Sequence, residues 1–103
     1  MEIKLEELLQ IAGGKPQNPF SDMIGKNVFI RTVTHHFTGK VENVKGDFVE
    51  LSHAAWIADD GRFYDSLKKE EFNEVEPYIN NIFVNVTAII DFTTISKLSE
   101  SQK

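Results

Sequence analysis

Val28-Phe29-Ile30-Arg31-Thr32-Val33, followed after Thr34-His35-His36 by residues 37–44, is β-branched and aromatic in the manner of two successive strands. Gly39 falls inside the second of them, where an interior glycine marks a bulge or a sharp bend such as a barrel corner. Lys45-Gly46-Asp47 reads as a tight turn, and residues 48–51 as a third strand ending near Ser52 or His53. Connections of about three residues between three consecutive strands make a meander.

Working outward, residues 2–12 place Leu5, Leu8, Leu9 and Ala12 at i, i+3, i+4 and i+7, the spacing of one apolar helix face. Glu2, Glu6 and Glu7 sit near the N-terminus of that helix, where carboxylates suit the macrodipole. Gly13-Gly14 stops it, and residues 15–19, with two prolines, form an extended linker. A helix this short must dock on something to persist. Downstream of the meander, residues 54–79 read as an insert. Asp59 or Asp60 is placed to cap a helix running to about Glu71, with Phe63, Leu67 and Tyr64 toward one face. Pro77 bars a central strand nearby. Residues 82–92 are the most apolar stretch of the chain, and residues 96–103 a polar tail expected to fray.

Composition narrows the function classes. The chain has 103 residues, 41% apolar and 26% charged, enough for one small globular domain. It has no cysteine, which removes disulfide scaffolds, thiolate metal sites and cysteine nucleophiles. Eleven Lys/Arg against sixteen Asp/Glu give a net charge of −5, without the basic field of a typical nucleic-acid binder. The acidic N-terminus lacks the pattern of a signal peptide, and no run approaches the ~20 apolar residues of a membrane span, so a cytoplasmic protein is expected. Asn85-Val86-Thr87 matches a glycosylation sequon inside an apolar run and carries no weight without export.

Helix, bent meander, insert and two short apolar strands is the order of a small five-stranded barrel, and here the residues resemble the Sm-like (LSm) family. Val28, Ile30, Phe37, Gly39 and Val41, continued by Phe48 and Leu51, are similar to its first motif. Ile82-Phe83-Val84-Asn85-Val86-Thr87-Ala88-Ile89-Ile90 is similar in shape to its second. The likeness covers about residues 24–53 and 80–92, and the insert departs from compact members. Ala54-Ala55-Trp56-Ile57-Ala58 with Gly61-Arg62-Phe63 looks closest to phage-encoded Sm-like proteins, a subgroup without a settled function. The implied fold is mainly β: a five-stranded Sm-like barrel with an N-terminal helix (1–14), strands 1–3 (24–53), a helical insert (54–79), strands 4–5 (80–93) and the tail, all one domain.

The resemblance also implies where uridine would bind, through an aspartate and an asparagine of the first motif and the arginine of the second. Counted from Gly39 those positions are Lys45 and Val49, with Asn85-Val86 in place of Arg-Gly. A base is held by stacking and by hydrogen bonds to its edge, and valine supplies neither. For assembly, the uncharged segments Ile82, Phe83, Val84 and Ala88, Ile89, Ile90 leave strand edges without the usual protection, so a homo-oligomeric ring of about five to seven subunits is expected.

Other chemistry is poorly supplied. His35-His36 with His53 lacks a fourth metal ligand at a recognisable spacing and reads as a solvated turn. Ser52-His53 with Asp59-Asp60 fits no nucleophile motif, and no glycine-rich phosphate loop is present. No cofactor or catalysis is expected. Trp56, Phe63, Tyr64, Phe72 and Tyr78, with seven acidic residues from Asp59 to Glu76, either pack the insert on the barrel or offer an aromatic surface to a protein partner. Lys26, Arg31, Lys40 and Lys45 form at most a diluted basic patch. The leading expectation is a non-catalytic, ring-forming phage-type assembly module with an unknown ligand. The alternative is a divergent RNA-binding Sm-like protein, and a third reading is a sequestering protein for small nucleotides.

Overall fold

The computed structural model describes residues 18–103, so the helix expected over residues 2–12 lies outside the described residues. Six strands form one antiparallel sheet: β1 (Asn27–Thr32), β2 (His36–Lys45), β3 (Phe48–Asp59), β4 (Glu74–Pro77), β5 (Ile82–Asn85) and β6 (Ile89–Thr94). The order is β4-β3-β2-β1-β6, with β5 also paired to β3. The meander is present as read. Gly46 at φ 57° closes the two-residue turn between Lys45 and Phe48, a backbone region that glycine reaches without a Cβ penalty.

Gly39 does what an interior glycine is expected to do. The β2–β3 register shifts between Thr38 and Lys40. A Cβ at Gly39 would stand 2.9 Å from the Leu51 Cβ, closer than packed carbons tolerate, so β2 and β3 can cross tightly only without one. β3 bends as well, at His53, whose φ is 48°. Below the bend β3 pairs with β5 from Phe48 to Leu51; above it β3 pairs with β4 from Ala55 to Asp59.

Three features depart from the sequence reading. Residues 54–59 belong to β3 rather than to an insert. β5 lies where the fourth strand is expected, whereas β4 is an additional short strand inside the expected insert; both pair along β3, so six strands stand where five were counted. Pro77 ends β4, which lies at the sheet edge, where a missing N–H costs no ladder bond. The helix, α1, is shorter than expected, Phe63–Lys69, and its N-cap is Arg62 without a side-chain cap. Asp59 instead accepts from the Gly61 N–H at 2.9 Å, and Asp60 from His36.

Two cores lie on the two faces of the sheet. Phe20, Val28, Ile30, Val41, Val49, Leu51, Ala54 and Val84 fill the barrel interior, with Phe37, Ile89 and Phe92 around them. Phe29, Ala55, Ile57, Phe72 and Val75 form the second core, against which Leu67 of α1 packs. Phe29 and Phe72 stack at 5.4 Å between ring centroids. Thr38 is fully buried with no partner for its hydroxyl. A buried unpaired hydroxyl costs more than a methyl of the same shape, so Thr38→Val will stabilise the fold by about 1 kcal/mol. An unchanged or lower urea midpoint would contradict this.

The tail is anchored rather than frayed. Glu70 accepts from the Ser96 and Lys97 N–H groups, at 2.6 and 3.2 Å. Val75 and Lys103 exchange both backbone bonds, at 2.8 and 3.0 Å, so Lys103 covers part of the outer edge of β4. Unpaired edge groups are the reason such a segment is held. No helix among the described residues is long and apolar enough to cross a membrane.

Candidate functional site

Three places collect the residues singled out above. The first is the lower end of the barrel, where the β2–β3 turn meets the end of β5. Phe48 pairs with Asn85, and the Val86 N–H donates to the Asp47 carbonyl at 2.7 Å, so Lys45 and Asn85 are brought to one end. Val49 is not part of that surface. It is fully buried, in register with Val44 and Val84, and is a core residue that no ligand reaches. Strand alternation points its neighbours Phe48 and Glu50 the other way.

Asn85 has a local task. Its Oδ1 accepts from the Thr87 N–H at 2.9 Å and from the Thr87 hydroxyl at 2.8 Å, capping the 3-10 turn Val86–Ala88. Lys45 leans over the Phe83 ring at 5.4 Å and stands 3.9 Å from Glu50. Its charge is thus partly answered on the spot. An aspartate, an asparagine and an arginine converging on a base are not what this end of the barrel presents.

The second place is the pair of open sheet edges. Among the described residues β5 pairs only with β3, and β6 only with β1. Phe83 is 52% exposed and Ile90 62%. Ile82 and Ile89 are half-buried against the barrel core, Ala88 is exposed, and Val84 faces inward, so Val84 offers its backbone alone. A groove of about 320 Å³ lined by Pro19, Phe20, Val86, Ile89, Ile90 and Phe92 runs beside β6. Next to it Arg31 and Asp91 form a double hydrogen bond. That bond holds the Asp91 carboxyl below its usual range against the opposing effect of desolvation.

The third place is the opposite end, where the β1–β2 turn meets the end of β3. Thr34, His35, His36, Trp56, Asp59 and Asp60 are among the residues lining a cavity of about 320 Å³. The three histidines are not together. His53 sits at the bend of β3 and contacts Glu100 at 2.8 Å. Among the described residues no group of three or more His, Cys, Asp or Glu side chains is arranged to hold a metal. Ser52 donates to Glu42 at 2.6 Å and does not meet His53 as a nucleophile–base pair. Of the aromatics read as one set, Phe72 is core, while Trp56, Phe63, Tyr64 and Tyr78 keep exposed surface.

The pairing of Asp60 with His36 is not legible in the sequence, where Asp59 or Asp60 reads as a helix cap. The signal it lacked was the extension of β3 to Asp59, which carries Asp60 to the level of His36 on β2.

No family model matches the chain, and no curated protein matches it. Solved structures do. A heptameric archaeal Sm protein, described for its implications for the eukaryotic snRNP core, is similar with a TM-score of 0.54 and 16% identity, covering 75% of this chain and 96% of that one. The P. aerophilum SmAP1 heptamer is similar with a TM-score of 0.53 and 16% identity, covering 94% of this chain and all of that one. At that identity the likeness speaks for the fold: the chain has an Sm-like, mainly β fold.

Proposed function

We propose that the protein is a non-catalytic subunit that closes head to tail into a ring of about five to seven copies, β5 of one pairing with β6 of the next. The observation that carries this is the state of the two edges. Both leave backbone donors and acceptors unpaired among the described residues, both display a large apolar side chain, and neither Ile82-Phe83-Val84 nor Ala88-Ile89-Ile90 carries a charge. Uncharged open edges are templates for a further strand. A contact between two different edges is heterologous, and it closes when the rotation per subunit permits. Lys103 occupies part of the β4 edge, which leaves β5 as the free length. The heptameric state of both similar Sm proteins supports the same reading. Light scattering at tens of micromolar is the test. A ring mass is expected, and a monomer mass would end the proposal.

The role of that ring is assembly rather than uridine binding. The phage-type assignment rests on the Ala54–Ala58 and Gly61–Phe63 stretches. Against RNA stand the burial of Val49, the engagement of Asn85 by Thr87, and the charge: five copies would carry about −25. Oligo(U) will therefore bind weakly or not at all at physiological salt. Saturable sub-micromolar binding that falls steeply with salt would favour the RNA alternative instead.

A further inference from the structure

The outer face of the sheet carries a groove between α1 and β6. Phe29, Arg31, Phe63, Leu67, Asp91 and Thr93 are among the residues lining this cavity of about 240 Å³. Strand alternation places it. Val28 and Ile30 fill the barrel interior, so Phe29 and Arg31 point outward, and so do their partners on β6, Thr93 and Asp91. The Phe63 ring of α1 lies 6.0 Å from that of Phe29. Arg31 stands beside them, its guanidinium 4.8 Å from the Phe63 centroid and fixed by its double hydrogen bond to Asp91. Among the described residues Phe63 alone stacks on that guanidinium, and 34% of the Arg31 side chain stays exposed. The other open edge carries a matching side chain. Val49 and Leu51 face the interior, so Glu50 and its partner Phe83 on β5 face outward. Phe83 is exposed and carries Lys45 over its ring.

These two features answer each other. When β5 pairs with β6 of a neighbouring copy, the sheet continues across the contact and outer face runs into outer face. Phe83 then projects beside the partner's Asp91 and Thr93, at the mouth of the groove. The space suits a benzyl group, since an apolar cavity of about 150 Å³ already holds benzene. The chemistry suits it as well. A planar guanidinium stacks on aromatic rings, and Arg31 has used one ring only. An aliphatic side chain would fill the space and leave that guanidinium without a second ring. Lys45 travels with Phe83 and reaches Glu50 only at 3.9 Å, so its charge arrives near the half-exposed Asp91 carboxylate. We propose that Phe83 of each copy seats in the groove between α1 and β6 of the next, against Phe63, Leu67 and Arg31. The proposal rests on the ring reading and adds α1 to the contact, an element that lies on neither strand edge.

The chain has no cysteine, so introduced cysteines report on this contact alone. Two cysteines bridge only when their Cα atoms lie within about 7 Å. Phe83→Cys combined with Thr93→Cys is expected to give, on oxidation, a ladder of covalent multimers in steps of 11.7 kDa that reductant removes. Either single variant can go no further than a dimer. Phe63→Ser tests the helix side and keeps Phe83. It is expected to raise the concentration at which the oligomer half-dissociates by about tenfold or more, with circular dichroism unchanged. Should it lose the native spectrum, Phe63→Leu takes its place, removing the ring and keeping an apolar residue. If the reduced cysteine pair no longer assembles, the Phe63 variant decides alone. A monomeric parent by light scattering would end the ring reading and this seat with it. A parent that forms a ring, with no ladder from an assembled cysteine pair or with an unchanged midpoint in the Phe63 variant, would overturn the seat and leave the ring standing.

Discussion

Phe83→Asp combined with Ile90→Asp will release the protein as a folded monomer of 11.7 kDa. Both side chains are more than half exposed in the single chain, one on β5 and one on β6. Surface substitutions at such positions shift stability by only about 0.5 kcal/mol, so circular dichroism should be unchanged. In the proposed ring both positions lie on the two edges that pair. There the change removes two apolar anchors, each able to contribute about 2 kcal/mol, and places like charges along the contact. Every subunit of a closed ring has two such contacts, so the penalty recurs around the circle. Light scattering or equilibrium sedimentation of both proteins reads the result. A double variant that keeps the parental oligomer mass would show that these edges do not hold the copies together.

The difference between what could be read in the sequence and what could not follows the range of the interactions. Local signals are sufficient for the meander: the β-branched runs, the Gly46 turn and a glycine interior to a strand are each read from a few neighbouring positions, although the close approach of Leu51 that requires Gly39 is not. The extra strand β4 has no local signal. Residues 74–77 read as part of an insert because the reason they form β4 is the bend of β3 at His53, more than twenty residues earlier. The count from Gly39 places Val49 where the resemblance implies an asparagine, but it does not say which face of β3 that position takes; the burial of Val49 comes from its register with Val44 and Val84. One residue of slip exchanges the core face for the solvent face. Asp59 and Asp60 read alike as a helix start on residue type alone, whereas the length of β3 decides that Asp60 meets His36. The tail was expected to fray because its residues are polar, yet Glu70 and Val75 supply partners that composition does not reveal.

Phe20 is the clearest case of a role invisible to periodicity, and its removal carries the largest stability effect. It follows Asn18 and Pro19, the end of the stretch read as linker, with no alternating pattern to mark it as core. In the fold it is fully buried in the barrel interior, its ring 4.2 Å from that of Phe92 on β6. Asn18 fixes the approach: its Oδ1 accepts from the Phe20 N–H at 2.9 Å, and its amide donates to the Gly46 carbonyl at 3.1 Å. Phe20 therefore plugs the space between β6 and the strands carrying Val28 and Val41, a space that a barrel with open edges does not close by itself. Phe20→Ala empties it, at a cost of about 3–5 kcal/mol for a buried phenylalanine. A domain this size has only about 5–15 kcal/mol in total, and each kcal/mol lowers the melting temperature by about 4–8 °C. The melting temperature should fall by more than about 10 °C, and Phe20→Leu, which leaves a smaller void, should recover roughly half of the loss. A calorimetric scan in which Phe20→Ala melts within about 4 °C of the parent, the effect of a single kcal/mol, would show that the segment before β1 is not part of the barrel core.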